Sequence, residues 1–467
     1  MFDGMTIAFL SYFGCLLSFG LFFYKKSNQP DDFALGGRTL NYWVTAISAQ
    51  ASDMSDWLFM AFPGVIYLTG LSEIWIGIGL VLFMFLTWQF IAPKFRIATE
   101  KTNTVTLASF FSVTFQDKSN LIKIISSLLC LYFFVFYIAA GINGLGKVFA
   151  CAFDMNYFVG IVLGLSITIA YTMLGGFLAI AWSDLFQGTL LLAAIMFVPC
   201  YVLAHLGGIT ALTTAIHDQN FFSLWPQHST SLFAVAIGIL SWGLGYFGQP
   251  HILINFMSIK EPEKISKAKL VGCTWQILAL GSAAAVGIVG KAFFTTPLEN
   301  RELVFIKMVQ LLFHPFVAGI ILCAILAATI STINTQALVS ASLLSQDLYS
   351  TLINPQGTAE QKLHFTRLGI FIIPLLALLV ALKQSAYVMD LVLYAWSGLG
   401  SCFGPIVIAS LYCKEKITRN GALAGLISGG IVSIFWPLLH TNIPTLVVGY
   451  TVNFICMFAI SQFELKK

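Results

Sequence analysis

Long apolar runs separated by short polar segments dominate the chain. Runs of adequate length fall at about 5–24, 41–69, 73–92, 121–148, 157–177, 182–205, 231–256, 268–291, 312–345, 366–383, 388–411, 420–438 and 443–462. About 20 apolar residues suffice for a helix to cross the hydrocarbon core of a bilayer. The pattern therefore predicts an all-α polytopic membrane protein of about 13 spans, one transmembrane domain over residues 1–467. No connection is long enough for a separate catalytic domain; the longest lies around 207–229. Between spans three and four, Thr106 to Thr114 sets Leu107, Phe110, Phe111 and Val113 among polar residues, a short helix that fits along the inner surface but reads best as a connector.

Two spans are interrupted. Span two carries Ser48-Ala49-Gln50-Ala51-Ser52-Asp53-Met54-Ser55-Asp56-Trp57 in its middle and continues to Phe62-Pro63-Gly64. Span seven carries Ser241-Trp242-Gly243-Leu244-Gly245-Tyr246-Phe247-Gly248-Gln249-Pro250. Glycine and proline weaken or remove helical hydrogen bonds. Such backbone is tolerated at membrane depth only where it is buried in protein or lines a cavity. Interrupted spans at corresponding places in two halves point to an inverted-repeat transporter site. Spans two and seven lie five apart in the order, so they enter the membrane from opposite sides, as an inverted repeat requires.

Composition and charge sharpen this picture. The chain is 58% hydrophobic and 9% charged, against about 25% charged in soluble domains. With the N-terminus outside, 19 of the 24 basic residues fall on the inner side, leaving Lys147, Lys291, Arg301, Lys307 and Lys383 outside. The positive-inside rule thus predicts an outer N-terminus and a cytoplasmic C-terminus. The net charge of +4 follows this topology and forms no nucleic-acid patch. The run 5–24 has no basic residues before it and no small-residue cleavage site after it, so it is expected to be a span, not a removable signal. Nine cysteines without a CxxC pair and seven histidines without i, i+4 pairing give no disulfide framework or zinc motif. Gly141 to Val148 nearly spells a phosphate loop, but Val148 replaces the magnesium-binding hydroxyl and no strand precedes it. No nucleophile–base–orienter set is present, so an enzyme is not expected.

The candidate chemistry lies inside the spans. In span nine, Ala328, Ser331 and Thr332 stand at i, i+3 and i+4 on one helix face. Their carbonyl and hydroxyl oxygens suit a hard cation such as sodium; equally, such hydroxyls bond back to i−4 carbonyls or pack between helices. Asp53 and Asp56 are intramembrane acids, a default sign of function: cation attractors, proton carriers or partners of a basic group, or else an ion pair or a hydrogen-bonded helix break that fixes packing. Trp57, Tyr137, Trp242 and Tyr246 are candidate pocket walls. Membrane aromatics more often serve core or interface, and only Trp242 and Tyr246 flank broken backbone. Asp184, Glu73 and Arg38 lie near predicted span ends, where charge is easily accommodated, so structure or gating reads as well as chemistry.

The stretches Leu35-Gly36-Gly37-Arg38, Ser52-Asp53-Met54-Ser55, Leu71-Ser72-Glu73, Gly243 to His251 and Ala324 to Thr332 resemble the sodium:solute symporter family. The likeness runs through nearly the whole chain, to Arg419-Asn420-Gly421-Ala422-Leu423-Ala424-Gly425. The resemblance implies thirteen spans with a leucine-transporter-like five-plus-five inverted repeat. Repeat one covers about 41–205 and repeat two about 231–411, with flanking helices 5–24, 420–438 and 443–462. It implies inward symport of sodium and L-proline by alternating access. By position, its sodium ligands fall on Ala51, Met54, Ala328, Ser331 and Thr332. Asp53 matches the acid needed for sodium-coupled uptake and Ser55 a serine tied to proline affinity. Tyr137, Trp242, Tyr246 and Pro250 match substrate-site positions, Trp57 is expected to face the solute beside Ser55, and Arg38 matches a sensitive inner arginine.

Two positions depart from the family pattern, where small residues, often glycine, replace Gln50 and Asp56. The added acid at Asp56 can alter ion affinity, admit a proton or pair elsewhere. Span nine continues Asn334-Thr335-Gln336, more polar than the family pattern there. The expectation is a multi-pass protein of the plasma membrane (a bacterial inner membrane) whose partners are sodium, a small solute and lipid, with no nucleic acid and no obligatory protein partner. The competing expectations are symport of another amino acid or a carboxylate, or a solute sensor. The chain's end at Lys467, a few residues after span thirteen, speaks against a sensor.

Overall fold

The computed structural model describes residues 4–23, 30–218, 220–225, 231–383 and 386–466. Lys25, Lys26 and Lys467 of the basic count, and residues 219 and 226–229 of the longest connection, lie outside them. The described residues are helical, apart from turns and one isolated bridge between Leu40 and Ile259.

The chain opens with α1 (Gly4–Phe23) and α2 (Pro30–Leu35), then α3 (Tyr42–Met54) and α4 (Ala61–Thr69), the two pieces of span two. The Asn41 side chain starts α3 by accepting the Val44 N–H at 2.9 Å, the usual device for an orphan first-turn donor. Next come α5 (Ile74–Leu86), α6 (Ala92–Lys101), α7 (Leu107–Thr114), α8 (Leu121–Phe153), α9 (Tyr157–His205) and α10 (Ile209–Ala215). Span seven divides into α11 (Leu232–Gly243) and α12 (Pro250–Ser258), joined by a 3-10 turn and bent by 50°. The remainder is α13 (Ile265–Phe293), α14 (Val304–Leu312), α15 (Pro315–Ser342), α16 (Ala359–Ala381), α17 (Val388–Tyr412), α18 (Arg419–Phe435) and α19 (Thr445–Leu465).

Among the described residues, nine helices are long and apolar enough to cross a bilayer, and the bent pair α11–α12 makes a tenth. Where spans one, two and five are expected, the apolar helices are shorter: Gly4–Ser18, Asp56–Thr69 and Tyr157–Met173. Span two falls short because Ser55 divides it. Spans five and six run together as α9 across a kink at Gly176 (φ 58°), a backbone conformation that a Cβ disfavours. The Thr106–Thr114 prediction corresponds to α7, whose Leu107, Phe110 and Phe111 are buried while Val113 is exposed. It packs on α8 rather than lying free at the surface.

The layering follows from burial. A helix apolar all round belongs in the middle of a bundle, and α15 is such a helix: 83% of its apolar window is buried, against 33% for α16, α18 and α19. Helix α3 packs against α9, α12, α13 and α15, so its break is enclosed by protein. The two broken spans also meet at one end. The Leu40 N–H, just before α3, donates to the Ser258 carbonyl at 3.2 Å, and the Lys260 N–H donates to the Leu40 carbonyl at 2.8 Å. Thus α3 begins on the side where α12 ends, which fixes the opposite directions of the two broken spans.

Candidate functional site

The first break is sharp. Helix α3 stops at Met54, Ser55 adopts φ 52° and ψ −168°, and Asp56–Leu58 form a 3-10 turn before α4. Positive φ in a serine is a strained state that the surroundings must hold. Asp56 contributes, accepting the Ser55 hydroxyl at 2.5 Å. The second break places Leu244–Gly248 in a 3-10 turn and starts α12 at Pro250, where the missing N–H costs nothing.

Between the breaks lies a cavity lined by Asp53, Met54, Trp57, Tyr137, Trp242 and Tyr246, with Leu80, Val392 and Trp396. Its volume is about 20 Å³, space for little more than one water. The indoles close it. Trp57 and Trp242 have ring centroids 5.1 Å apart, Tyr246 meets Trp396 edge-on at 5.1 Å, and the Trp396 indole N–H donates to the Trp242 carbonyl at 2.8 Å. The Tyr246 hydroxyl donates to an Asp53 carboxylate oxygen at 2.5 Å and accepts the Gln276 amide at 2.8 Å. That pair joins the break in span two to the break in span seven.

A second polar centre lies where α3, α9 and α15 meet. The Thr332 hydroxyl donates to the Ala328 carbonyl at 3.1 Å and is 3.4 Å from the Ala51 carbonyl. Ser331 does not bond back to its own helix: its hydroxyl donates to one Asp184 oxygen at 2.6 Å, and Ser48 donates to the other at 2.6 Å. Ala51, Ser331 and Asp184 are fully buried. A buried carboxylate is costly unless charge or hydrogen bonds compensate it. None of the described ion pairs includes Asp53 or Asp184. One carboxylate, three hydroxyls and the Ala51 and Ala328 carbonyls make an oxygen-rich cluster whose chemistry suits a hard cation better than a soft metal.

The remaining predicted residues take different places. Ser55 and Pro250 are buried but do not line the aromatic cavity; Pro250 faces a separate space with Phe95, Leu253, Met257 and Phe403. Arg38 stays at the α3 start, donating to the Met257, Thr99 and Thr104 carbonyls at 2.7, 3.1 and 2.9 Å, and so ties the end of α12 to the α6–α7 connection. Asp56 is fully buried, and its second carboxylate oxygen has no protein hydrogen bond. That oxygen lies against Gly144, where an added Cβ would overlap it. It also feels the buried Lys147–Glu302 pair, which closes at 2.8 Å. Two contributors escaped the sequence reading. Asp184 looked like a span-end charge but lies inside a helix that begins earlier than the apolar run suggests, and Trp396 carries no local signal at all.

Paired mid-membrane helix breaks around a closed aromatic cavity, with a buried oxygen cluster beside one of them, define a multi-pass membrane transporter of the broken-helix class. The solved structures agree on the fold. The chain superposes with a TM-score of 0.85 at 18% identity on a substrate-bound, outward-open Na+-coupled sialic acid symporter, covering 99% of this chain and 98% of that one. It superposes at 0.61 and 16% identity on Mhp1, a nucleobase-cation-symport-1 family transporter, covering 94% of each chain. The architecture is the leucine-transporter fold. The chain belongs to the sodium:solute symporter family, whose model matches residues 33–429, and hence to the transporters rather than the enzymes. Relatives include the sodium/proline symporter of Salmonella typhimurium, 39% identical over 440 residues (92% of this chain, 87% of the relative). Another is the high-affinity proline transporter PutP of Bacillus subtilis, 37% identical over 458 residues (96% and 95%).

Proposed function

We propose that the chain couples inward sodium flow to uptake of L-proline by alternating access in the plasma membrane, with its N-terminus outside and its C-terminus in the cytoplasm. The observation that carries the reading is the aromatic cavity enclosed by the two breaks. Trp57, Tyr137, Trp242, Tyr246 and Trp396 form a wall suited to a small ring with an apolar face, and Asp53 supplies charge at its edge. Sodium would be held between α3 and α15 by the Ala51 and Met54 carbonyls, the Ala328 carbonyl, and the Ser331 and Thr332 hydroxyls, with the Asp184 carboxylate beside them. Repeat one would cover 41–205 and repeat two 231–411. Ser55 would act on the solute through the shape of the break, and Pro250 by setting where α12 starts.

A cavity of about 20 Å³ must widen before a proline can enter, so solute binding requires the walls to part. Sodium stabilises the α3–α15 contact and with it the open arrangement. Coupling is then reciprocal: sodium raises proline affinity by the factor that proline raises sodium affinity. Uptake of labelled proline into proteoliposomes under an imposed sodium gradient tests this against other amino acids and carboxylates. Sodium-driven accumulation selective for proline is expected. A proline affinity indifferent to sodium would overturn the mechanism, and stronger sodium-driven uptake of another solute would overturn the substrate.

A further inference from the structure

Away from the transport site, a concave apolar groove runs along the outside of α5 and α13. Its volume is about 470 Å³, and Ile74, Gly77, Val81 and Phe85 line one side with Cys273 and Gly281 on the other. At 1.5 Å per residue, the α5 wall from Ile74 to Phe85 is about 16 Å long. That is roughly half of a ~30 Å hydrocarbon core, the depth of one leaflet. Gly281 on the α13 wall helps to keep the groove open. A Cβ built on Gly281 meets nothing within 4 Å, and one on Gly77 would reach Phe62.

The inner end of the groove is charged. Lys269 lies one helical turn before Cys273 on α13, its ammonium 2.5 Å from the Gln89 side-chain oxygen and 5.1 Å from the Phe85 ring centroid. Both contacts hold the ammonium over the bottom of the groove, and Lys269 is in none of the described ion pairs. Basic groups between helices on the cytoplasmic side attract anionic headgroups.

We propose that this groove is a binding site for an anionic glycerophospholipid of the inner leaflet, one acyl chain lying between α5 and α13 and the phosphate on Lys269. An apolar partner surface packed into the groove would bury the Lys269 ammonium without a counter-charge, whereas a phosphate pairs with it. The site depends on the orientation given above but not on the transported solute.

Native mass spectrometry of the purified full chain, offered phosphatidylglycerol and phosphatidylcholine with the same acyl chains, tests the site. Preferential retention of phosphatidylglycerol is expected. Lys269→Gln lowers that retention about fivefold, as the loss of one near-surface cation implies, and lowers phosphatidylcholine less, because its choline cation offsets the phosphate. Gly281→Leu fills open space at a helical position that favours leucine over glycine, and lowers retention of both lipids. Equal retention of the two lipids, or retention unmoved by both variants, overturns the proposal. So does a dimer that Gly281→Leu abolishes, which would make a second copy the occupant. Sodium-driven uptake measured on the same preparations separates the two readings: lost uptake with intact lipid selectivity counts against the transport assignment alone.

Discussion

Ser331 and Thr332 occupy neighbouring positions on one helix, yet their surroundings predict unequal consequences when each is cut to alanine. The Ser331 hydroxyl bonds a buried carboxylate at 2.6 Å, and hydrogen bonds to charged groups contribute about 1.5–3 kcal/mol. Thr332 reaches only two neutral carbonyls, at 3.1 and 3.4 Å, where about 0.5–1.5 kcal/mol is the usual scale. At about 1.4 kcal/mol per decade, Ser331→Ala should raise the sodium concentration for half-maximal uptake about ten- to hundredfold. Thr332→Ala should raise it about two- to tenfold. Asp184→Asn, which keeps the shape and removes the charge, should exceed both. The assay is the initial rate of proline uptake into proteoliposomes over a sodium series, with protein content measured for each variant. Unchanged sodium dependence in both alanine variants would remove the cation site from this place. A larger effect at Thr332 than at Ser331 would refute the assignment of Asp184 as its anchor.

Other consequences follow from single contacts. Tyr246→Phe removes a hydroxyl that donates to Asp53 at 2.5 Å and accepts from Gln276 at 2.8 Å. It should raise the proline KM about tenfold or more with a smaller change in sodium dependence; a KM within twofold of the parent would count against Tyr246 as a pocket wall. In the connection between α7 and α8, burial pushes the Asp117 carboxyl up, but hydrogen bonds from Arg419, Ser119 and the Ile122 N–H outweigh it and hold it below the ordinary carboxylate value. With the folded value depressed, the stabilisation is present above the ordinary carboxylate value of about 3.9 and is lost as pH falls through the lower folded value. Thermal melts in detergent from pH 7 down to pH 3 should therefore fall more steeply for the parent than for Asp117→Asn. Parallel curves would show that the Arg419–Asp117 pair, at 2.7 Å, contributes nothing measurable.

What could be read in the sequence was local. The break in span seven was visible as three glycines and a proline, and the break in span two as serines, acids and an amide in an apolar run. Each is a short-range conflict with a continuous helix, so no partner need be known to detect it. Asp184 was opaque because its meaning lies 136 residues away in Ser48 and 147 away in Ser331. Its local setting also misled, since the polar-looking start of span six is the interior of α9. Trp396 resembles any other membrane tryptophan until α17 is seen beside the α11–α12 turn. The i, i+3, i+4 spacing of span nine left two readings open; the contacts seen are those of hydroxyls that bond back or pack between helices, and cation binding by the same oxygens is the proposal above. Thr332 bonds its own i−4 carbonyl, as hydroxyls in helices often do, while Ser331 bonds across to α9.

Asp56 gains definition from the same geometry. It holds the Ser55 hydroxyl, it needs Gly144 to be bare, and it lies within electrostatic reach of Lys147 and Glu302. Those three charged groups sum to a net negative charge beside the break. Asp56 is two residues from Met54, so an ionised Asp56 carboxylate would attract a cation held on the Met54 carbonyl. At an effective dielectric of about 20, opposite charges about 7–10 Å apart attract by about 2 kcal/mol. Asp56→Asn, which keeps the Ser55 contact and removes the charge, should therefore weaken apparent sodium affinity by about tenfold or more. Asp56→Gly should do the same and also free the Ser55 backbone, so that proline affinity falls only in the glycine variant. Sodium curves for parent, Asn and Gly proteins that superimpose would mean that Lys147 already neutralises Asp56, and that this acid serves only to hold the helix open.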